Sequence, residues 1–544
     1  MKYLKKYWLL ILLIILTIIR FLMSYNLPTF YIKNLGLDDY LMINLANNIS
    51  TGNYLGNYSN LTLVKGFIFP IFLSISKYLN ISYATSLTIL YIFACLFFTN
   101  SLKGIIKNKK ILILLHLILL FNPISYSMEL FQRLYRNSLS LIELLFFFSF
   151  IILNLKENNK KKIIIYSLLL GIITSIMYLT REDNIWCIVI LILLFIYKFL
   201  NNKNIKSFLI NLTPIITLYL LLNIISFINY KYYGVYTYNE LSNSSFKDCY
   251  VKVQKIKDSK KINQVSITKE SLLNLAKVSK KIKVSEKEIN RLYMQLADIE
   301  TGEFNNATII WYFRHLIYAN QRFKTGYDAN LYFKELSREI DELFESGKLE
   351  KEFAINSVFM NTPTFNDLKM IPSNLLKMIK YSSSYDNVGT LSLDALKKLP
   401  NAKYDFENKT YYVYYRDYNN TENMLSKNIK SFEIIRLFYK YFTIIFSIIS
   451  LIIYLMNLKN FKDKKYYLLS LILISYLIIL FGVCYTHTTA FNGMRYYYLG
   501  NIYLLQSIFI ILNLEGVLNE RSRINNFITM FKRRKNNWKV YRRS

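Results

Sequence analysis

The stretch VKGFIFPIFLSISKY, residues Val64–Tyr78, decides how this chain threads a membrane. It is apolar but short, and it contains Pro70 and has Lys65 near its start and Lys77 near its end. A helix needs about 20 apolar residues to cross a bilayer. We therefore predict a short juxtamembrane or re-entrant helix here, with a true span as the alternative.

Ten other apolar runs are long enough to span a bilayer. They are Tyr7–Met23, Ile81–Phe98, Ile111–Tyr126, Ser138–Leu153, Ile163–Leu179, Ile185–Leu200, Phe208–Ile228, Phe432–Met456, Tyr466–Cys484 and Tyr498–Leu514. Hydrophobic residues make up 53% of the 544 residues and charged residues only 19%, which excludes an ordinary soluble protein. The predicted fold class is a polytopic α-helical membrane protein, with about ten transmembrane helices plus a juxtamembrane outer helix.

The basic loops orient these spans. If residues 64–78 do not cross, the Lys-rich loops that begin at Ser101, Asn154, Asn201 and Asn457 and the tail from Phe531 all fall on one side. Lys and Arg collect in short cytoplasmic loops, so this side is predicted to be the cytoplasm, with both termini there. The net charge of +33 is therefore attributed to these loops and not to a nucleic-acid partner.

The same threading divides the chain into four parts. Residues 1–228 form an N-terminal transmembrane module with an outer loop at 24–63, and residues 229–431 form a mostly helical extracytoplasmic domain inserted before the last three spans. Residues 432–514 hold the C-terminal spans, and 515–544 are a basic cytoplasmic tail. Within the outer part, KYDFENKTYYVYYRDY from Lys403 predicts a strand pair or a sheet edge.

Unusual polar residues fall on the predicted outer side. Asp38 and Asp39 are adjacent, which by itself is common in solvated loops, but apolar residues follow them at helical spacing. Lys65 lies 26 residues after Asp39. A cation near an acid at an interface suits phosphate recognition beside a general base.

A second outer group is Glu129, Arg133, Arg136, Ser140 and Glu143, at steps of three and four residues. This spacing predicts one helical face leading into the next span. The group is either a self-neutralising stripe of ion pairs or a pair of arginine clamps for a phosphate or pyrophosphate.

Two further outer turns carry candidate supporting residues. Arg181, Glu182 and Asp183 lie at the tip of a hairpin, where a capping role for the aspartate is the alternative. His487 and Arg495 flank another turn, and a lone interfacial histidine is more often structural. The sequence contains neither a glycine-rich phosphate loop nor Cys and His pairs at zinc spacing.

The elements DDYLMINLANNISTGNYL from Asp38 and KGFIFPIFL from Lys65 resemble the GT-C class of membrane glycosyltransferases. The likeness is to protein O-mannosyltransferase-like and aminoarabinose-transferase-like members. Asp38 matches their leading catalytic aspartate, Asp39 its acidic partner, and Lys65 the lysine of a Lys-Pro-Pro element that contacts the lipid phosphate. Gly66 stands where that element has proline.

The resemblance implies transfer of a sugar from a polyprenyl-phosphate donor to a glycan, lipid or protein acceptor of the cell envelope. Asp38 would be the general base, Asp39 its orienting partner or a metal ligand, and Lys65, Arg133 and Arg136 would bind the phosphate. A single displacement would invert the linkage. A divalent ion, Mg or Mn, is left open as a cofactor, and the expected location is the bacterial plasma membrane with an extracytoplasmic active site.

Two other functions fit many spans and a large outer segment. One is a transporter or flippase of lipid-linked glycans, although such proteins tend to have internal repeats and helices broken at midplane charges. The other is a polymerase or ligase of lipid-linked glycans. A non-catalytic scaffold leaves the clustered outer charges unexplained.

Overall fold

The structure is a computed structural model. It describes residues 2–25, 27–32, 38–201, 205–259, 262–354, 357–359, 362–391, 402–403, 418–460, 463–491 and 496–515. The predicted cytoplasmic tail lies outside these residues except for Glu515, and so does most of the predicted strand region, 404–417.

Helices dominate the described residues. In chain order they are α1 (Lys2–Ser24), α2 (Asp38–Ser50), α3 (Ile68–Tyr78), α4 (Tyr83–Ser101), α5 (Lys109–Leu120), α6 (Asn137–Lys156), α7 (Lys160–Thr180), α8 (Trp186–Asn201), α9 (Ile205–Tyr233), α10 (Ser245–Val253), α11 (Lys269–Val278), α12 (Glu286–Leu296), α13 (Asn306–Gln321), α14 (Gly326–Glu345), α15 (Phe365–Ser384), α16 (Tyr418–Met456), α17 (Lys464–Ala490) and α18 (residues 500–515). Two short strands, β1 (Tyr31–Ile32) and β2 (Ala402–Lys403), pair antiparallel. Lys403, where the predicted strand region begins, therefore lies in a strand.

Nine stretches of the described chain are long and apolar enough to cross a membrane. They are Tyr83–Ser101, Lys109–Tyr126, Asn137–Lys156, Lys160–Thr180, Glu182–Asn201, Phe208–Tyr233, Asn428–Met456, Lys464–Ala490 and Tyr497–Glu515. Each coincides with one of the ten predicted runs, and the tenth run lies within α1. The prediction of a polytopic α-helical membrane protein is confirmed.

The short helix predicted at 64–78 is α3, which has 11 residues. At 1.5 Å per residue it is about 16 Å long, roughly half the thickness of a bilayer's hydrocarbon core. Pro70 is its third residue, where a proline is tolerated because the amide needs no partner within the helix. Helix α3 is therefore too short to be a span.

Helices α10 to α14 enclose a second buried core, whose centre includes Phe246, Phe313 and Leu336. A buried ion pair between Arg314 and Glu240 lies at its edge. The Arg314 Nε also donates to the carbonyl of Asn60 at 2.6 Å, which ties the loop before α3 to the segment between α9 and α16, called the outer segment after its predicted location. The described residues of the outer segment are mostly helical as predicted, while the division into four parts stays a prediction.

One end of the α6–α7 hairpin collects the polar elements. At that end Arg136, just before α6, donates to the carbonyl of Thr180, the last residue of α7. The start of α2 and the loop before α3 contact this same end. Near the opposite end, the side-chain amide of Asn154 in α6 donates to the hydroxyl of Ser167 in α7. The basic residues that begin α7, Lys160–Lys162, lie at the opposite end of the hairpin.

Candidate active site

Asp39 is the anchor of the site. Its side chain is completely buried and accepts two bonds from Arg133, Nε to Oδ2 at 2.8 Å and Nη2 to Oδ1 at 2.9 Å. The backbone N–H of Ile32 in β1 adds a third, at 3.1 Å. Burial favours a neutral Arg133, but the ion pair with Asp39 raises its pKa above the ordinary value. A bidentate, fully hydrogen-bonded pair of this kind fixes geometry strongly.

Asp38 faces a different set of groups. Its carboxylate lies 3.1 Å from the Lys65 Nζ and 3.4 Å from an Nη of Arg136, and it accepts a bond from the Tyr135 hydroxyl at 3.2 Å. About 17% of its side chain remains exposed, whereas Asp39 has none. Burial alone would raise the pKa of Asp38, but the two cations lower that pKa to about 2. Asp38 is therefore an accessible carboxylate between two buried cations.

Glu182 is the second carboxylate partner of Arg136, after Asp38. It accepts from an Nη of Arg136 at 2.9 Å, from the backbone N–H of Gly66 at 3.1 Å and from the amide of Asn239 at 2.8 Å. Glu182 thus joins the end of α7, the loop before α3 and the chain after α9. The Nε of Arg136 is buried and has no hydrogen-bond partner among the described residues, so this guanidinium keeps a free donor.

Arg181 and Asp183 form a separate pair at the same end. Arg181 is buried and donates to Asp183 and to the side chain of Asn137 at the start of α6. Its guanidinium carbon also lies 4.9 Å from the centre of the Tyr498 ring. This pair fastens the hairpin tip to α6.

The remaining predicted residues lie at the edge of this cluster or outside the described chain. Glu129 pairs with Arg133 at 3.3 Å and is partly exposed. His487 is buried near the end of α17, where its ring packs against Phe491 and Tyr498. Arg495 lies outside the described residues.

The prediction of one helical face from Glu129 to Glu143 is wrong. Residues Met128–Gln132 form one π-helical turn, Arg133 is extended with φ −80° and ψ 130°, and α6 begins only at Asn137. The extended backbone arises because Phe30 pairs with this segment, donating to Gln132 and accepting from Leu134, each at 2.8 Å. This break lets two arginines three residues apart contact two different aspartates.

Three aromatic residues of the site were not predicted from the sequence. Tyr135 bonds Asp38, the ring of Trp311 lies 4.9 Å from the Lys65 Nζ, and the ring of Tyr497 lies 5.5 Å from the Arg133 guanidinium carbon. Tyr135 stands between the two arginines in the sequence, which is a usable signal. Trp311 and Tyr497 come from distant segments and carry none.

The carboxylate pair does not fit a divalent ion as it is arranged. Arg133 binds both oxygens of Asp39, and Lys65 and Arg136 occupy those of Asp38. Within the described residues, no group of three or more His, Cys, Asp or Glu side chains has the geometry for a metal ion. The Mg or Mn ion named from the family resemblance therefore stays a prediction.

Close packing explains why glycine, and not proline, follows Lys65 in this chain. A Cβ at this position would lie 1.6 Å from the backbone oxygen of Leu179, so the close approach of the two chains allows no side chain. We expect Gly66→Ala to displace Lys65 from Asp38 and to destabilise the protein by several kcal/mol. Thermal unfolding of purified protein measures this effect.

The matched control for this substitution is Gly482→Ala in α17, where a Cβ would meet nothing within 4 Å. It should unfold at the wild-type temperature or slightly above, because alanine favours a helix over glycine. Equal stability of the two variants would contradict the close packing of Gly66 against Leu179.

Comparisons with known proteins find similar solved structures. The oligosaccharyltransferase AglB of Archaeoglobus fulgidus, in complex with an inhibitory peptide and a dolichol-phosphate, has a TM-score of 0.38 and 11% identity, over 97% of this chain and 52% of that one. ArnT of Cupriavidus metallidurans in the apo state has a TM-score of 0.30 and 10% identity, over 93% of this chain and 78% of that one. No known family and no curated protein matches the sequence.

The chain spans about half the length of the oligosaccharyltransferase that it resembles. The resemblance to GT-C enzymes stated from the sequence is thus found again among solved structures. TM-scores below 0.5 and identities of 10–11% do not carry an activity over to this chain.

Proposed function

We propose that this chain is a membrane glycosyltransferase that moves a sugar from a polyprenyl-phosphate donor to an acceptor of the cell envelope. One observation carries the proposal: Asp38 is partly exposed between Lys65 and Arg136, while the adjacent Asp39 is buried and held by Arg133. The two carboxylates therefore have different roles. Asp38 is the group open to a substrate, and Asp39 is a positioning residue for the start of α2.

In the proposed reaction Asp38 acts as a general base. As the hydroxyl oxygen of the acceptor attacks the anomeric carbon of the sugar, its proton passes to the Asp38 carboxylate. The bond between the anomeric carbon and the phosphate oxygen breaks, and its electron pair stays on the lipid phosphate. A single displacement of this kind inverts the sugar linkage.

Lys65 and Arg136 are the proposed cations for the leaving phosphate. Both are buried within contact of Asp38, and the unpartnered Nε of Arg136 supplies a donor that no described residue uses. Charge developing on the phosphate is stabilised most by donors that are already fixed in place. The donors of Arg133 are held by Asp39 and Glu129, so we assign it to positioning Asp39 before any contact with phosphate.

The distribution of charge supports an extracytoplasmic site. Lys160–Lys162 lie at one end of α7, and Arg181 with its neighbours lies at the other. If the short basic loops face the cytoplasm, the candidate site faces away from it. A donor with a polyprenyl anchor would reach this end of the bundle from the bilayer.

Reconstituted full-length protein tests the proposal. Vesicles that contain a labelled polyprenyl-phosphate sugar and a mixture of envelope extracts should show label moving from the lipid to a water-soluble or protein fraction. Flux of intact labelled lipid-linked sugar across vesicles without acceptor, and no transfer when acceptor is present, would instead favour a transporter. Lengthening of a lipid-linked glycan would favour a polymerase.

The pH dependence of transfer should differ between the free and the donor-bound protein. Lys65 and Arg136 lower the pKa of Asp38 to about 2, and a bound phosphate would neutralise part of their charge. The pKa of Asp38 should therefore rise in the complex, toward or above its ordinary value of about 3.9. A base fails when it is protonated, so activity is lost as the pH falls through this pKa.

Initial rates at several donor concentrations between pH 4 and pH 8 measure this difference. Because kcat/KM reports the free protein and kcat the complex, kcat should decline toward pH 4 while kcat/KM for the donor stays flat. Parallel profiles would contradict competition between the phosphate and Asp38 for the same two cations.

A further inference from the structure

The outer segment contains a polar cavity apart from the charged cluster. Its volume is about 480 Å³, and its described lining comes from Gln254, Asp258, residues 262–266, Thr268, residues 352–354 and residues 362–367, together with Asn306 and Thr489. Cavities of about 300–1,000 Å³ are typical of sites for small ligands. The cavity therefore has the size of a binding site for part of a small molecule or a glycan.

Two buried oxygen atoms on the cavity lining have no hydrogen-bond partner among the described residues. The Asn306 Oδ1 is unpaired although the same amide donates to the carbonyl of Thr489 at 2.7 Å. The Oδ1 of Asp367 is also unpaired, while its other oxygen caps α15 through Thr364. Both residues are at least 97% buried. Unsatisfied buried acceptors are costly, so a ligand that brings hydrogen-bond donors is favoured here.

The rim of the same cavity carries exposed aromatic rings. Phe353 is 83% exposed and Phe365 is 72% exposed, which is unusual for phenylalanine in a folded segment. Lys369 lies 4.5 Å from the centre of the Phe365 ring and covers part of it. Acceptors inside and apolar rings at the rim match a saccharide, which has both hydroxyl groups and apolar C–H faces.

Helix α13 joins this cavity to the candidate active site. Asn306, its first residue, lines the cavity, and Trp311, five residues later, lies against Lys65. The two positions are about 7.5 Å apart along the helix axis and point to different sides of it. Thr489 gives a second link, because it follows His487, whose ring packs against Tyr498 beside Arg181. A glycan in the cavity would lie within a few sugar units of Asp38.

We propose that this cavity is a saccharide-binding site and that it holds the glycan part of the acceptor. The binding of a saccharide stands on the cavity itself, and its assignment to the acceptor rests on the proposed transferase function. The site would take sugar hydroxyls on Asn306 and Asp367 and the apolar face of a ring on Phe353. It would not contact the reacting atoms.

Saccharide binding can be measured without transfer. Full-length protein in nanodiscs is titrated with chitotetraose, maltotetraose and mannotetraose, each followed by saturation-transfer NMR. At least one should bind, and Phe353→Ala should weaken that binding roughly twofold to tenfold through the lost ring contact. Asp367→Asn should weaken it too, while Met294→Ala, an exposed residue of α12 outside the cavity, should not.

The outcomes separate this proposal from the function of the whole protein. Binding that is unchanged in Asp38→Asn but weakened in Phe353→Ala supports the site, whether or not transfer is found. If transfer is found, Phe353→Ala should also raise the KM for a glycan acceptor with little change in kcat. The proposal would be overturned if none of the three tetrasaccharides binds, or if Phe353→Ala binds them as tightly as the wild type does. It would also be overturned if the cavity takes up only calcium ions, supplied as calcium chloride.

Discussion

Asp38→Asn is expected to lower sugar transfer by roughly 10²–10⁴-fold, the usual contribution of a positioned general base. An amide at this position has nearly the same shape and still accepts from Tyr135, but it cannot take a proton from an attacking hydroxyl. Lys65 and Arg136 lose a partner and would still be free to bind an anion. The loss should therefore fall on kcat, with the KM for the donor unchanged or lower.

Transfer from a labelled polyprenyl-phosphate sugar in proteoliposomes measures this effect. Glu157→Gln is the matched control, because Glu157 is a partly exposed carboxylate that follows α6 at the far end of the same hairpin. It should retain wild-type transfer. If Asp38→Asn keeps normal transfer, Asp38 is not the base. If it no longer inserts or unfolds early, the carboxylate is structural, and Asp38→Glu becomes the variant that decides between the two roles.

The membrane architecture could be predicted from the sequence because bilayer thickness fixes how many apolar residues a span needs. Nine of the ten predicted runs coincide with helices long and apolar enough to cross. The run at 64–78 is predicted not to span for the same reason, since it is shorter than a span needs, and the structure has an 11-residue helix there, α3. These inferences need only local composition and no knowledge of packing.

The burial of Asp39 and the partial exposure of Asp38 could not be predicted from the residue pattern, and the sequence assigns the two different roles only through the resemblance to GT-C enzymes. Neighbouring residues at the start of a helix point about 100° apart, and the sequence does not say which direction is buried. Here Arg133 leaves the helical path because its backbone pairs with Phe30, and so it reaches Asp39 and leaves Asp38 to Lys65 and Arg136. Such an arrangement depends on contacts between segments about 100 residues apart.

Trp311 is another residue of the site that could not be predicted from the sequence. It belongs to α13 in the outer segment and reaches Lys65, almost 250 residues earlier in the chain. Nothing in its local sequence distinguishes it from an ordinary buried aromatic residue. The docking of the outer segment onto the loop before α3 brings it there, through contacts such as those of Arg314 with Asn60 and of Tyr58 with Glu240.

Breaking the Asp39–Arg133 pair should cost about 3–5 kcal/mol of folding stability, whichever partner is removed. Asp39→Ala leaves a guanidinium that is 93% buried without its bidentate partner, and Arg133→Ala leaves a fully buried carboxylate with one backbone donor. Both variants should also lose transfer, because the pair fixes the start of α2 and hence the position of Asp38. Thermal unfolding in detergent, followed by intrinsic fluorescence, measures the loss.

A double-mutant cycle distinguishes this pair from an ordinary surface contact. In Asp39→Ala with Arg133→Ala neither buried charge of the pair is left without its partner, so the double variant should be more stable than the sum of the two single losses predicts, by up to about 3 kcal/mol. The exposed pair Lys257–Glu350, 2.6 Å apart, is the control and should show little coupling. Additive losses at Asp39 and Arg133 would mean that the two side chains are held independently. The two adjacent aspartates would then have no physical reason to differ in role, because Asp39 would not be the fixed point from which Asp38 is positioned.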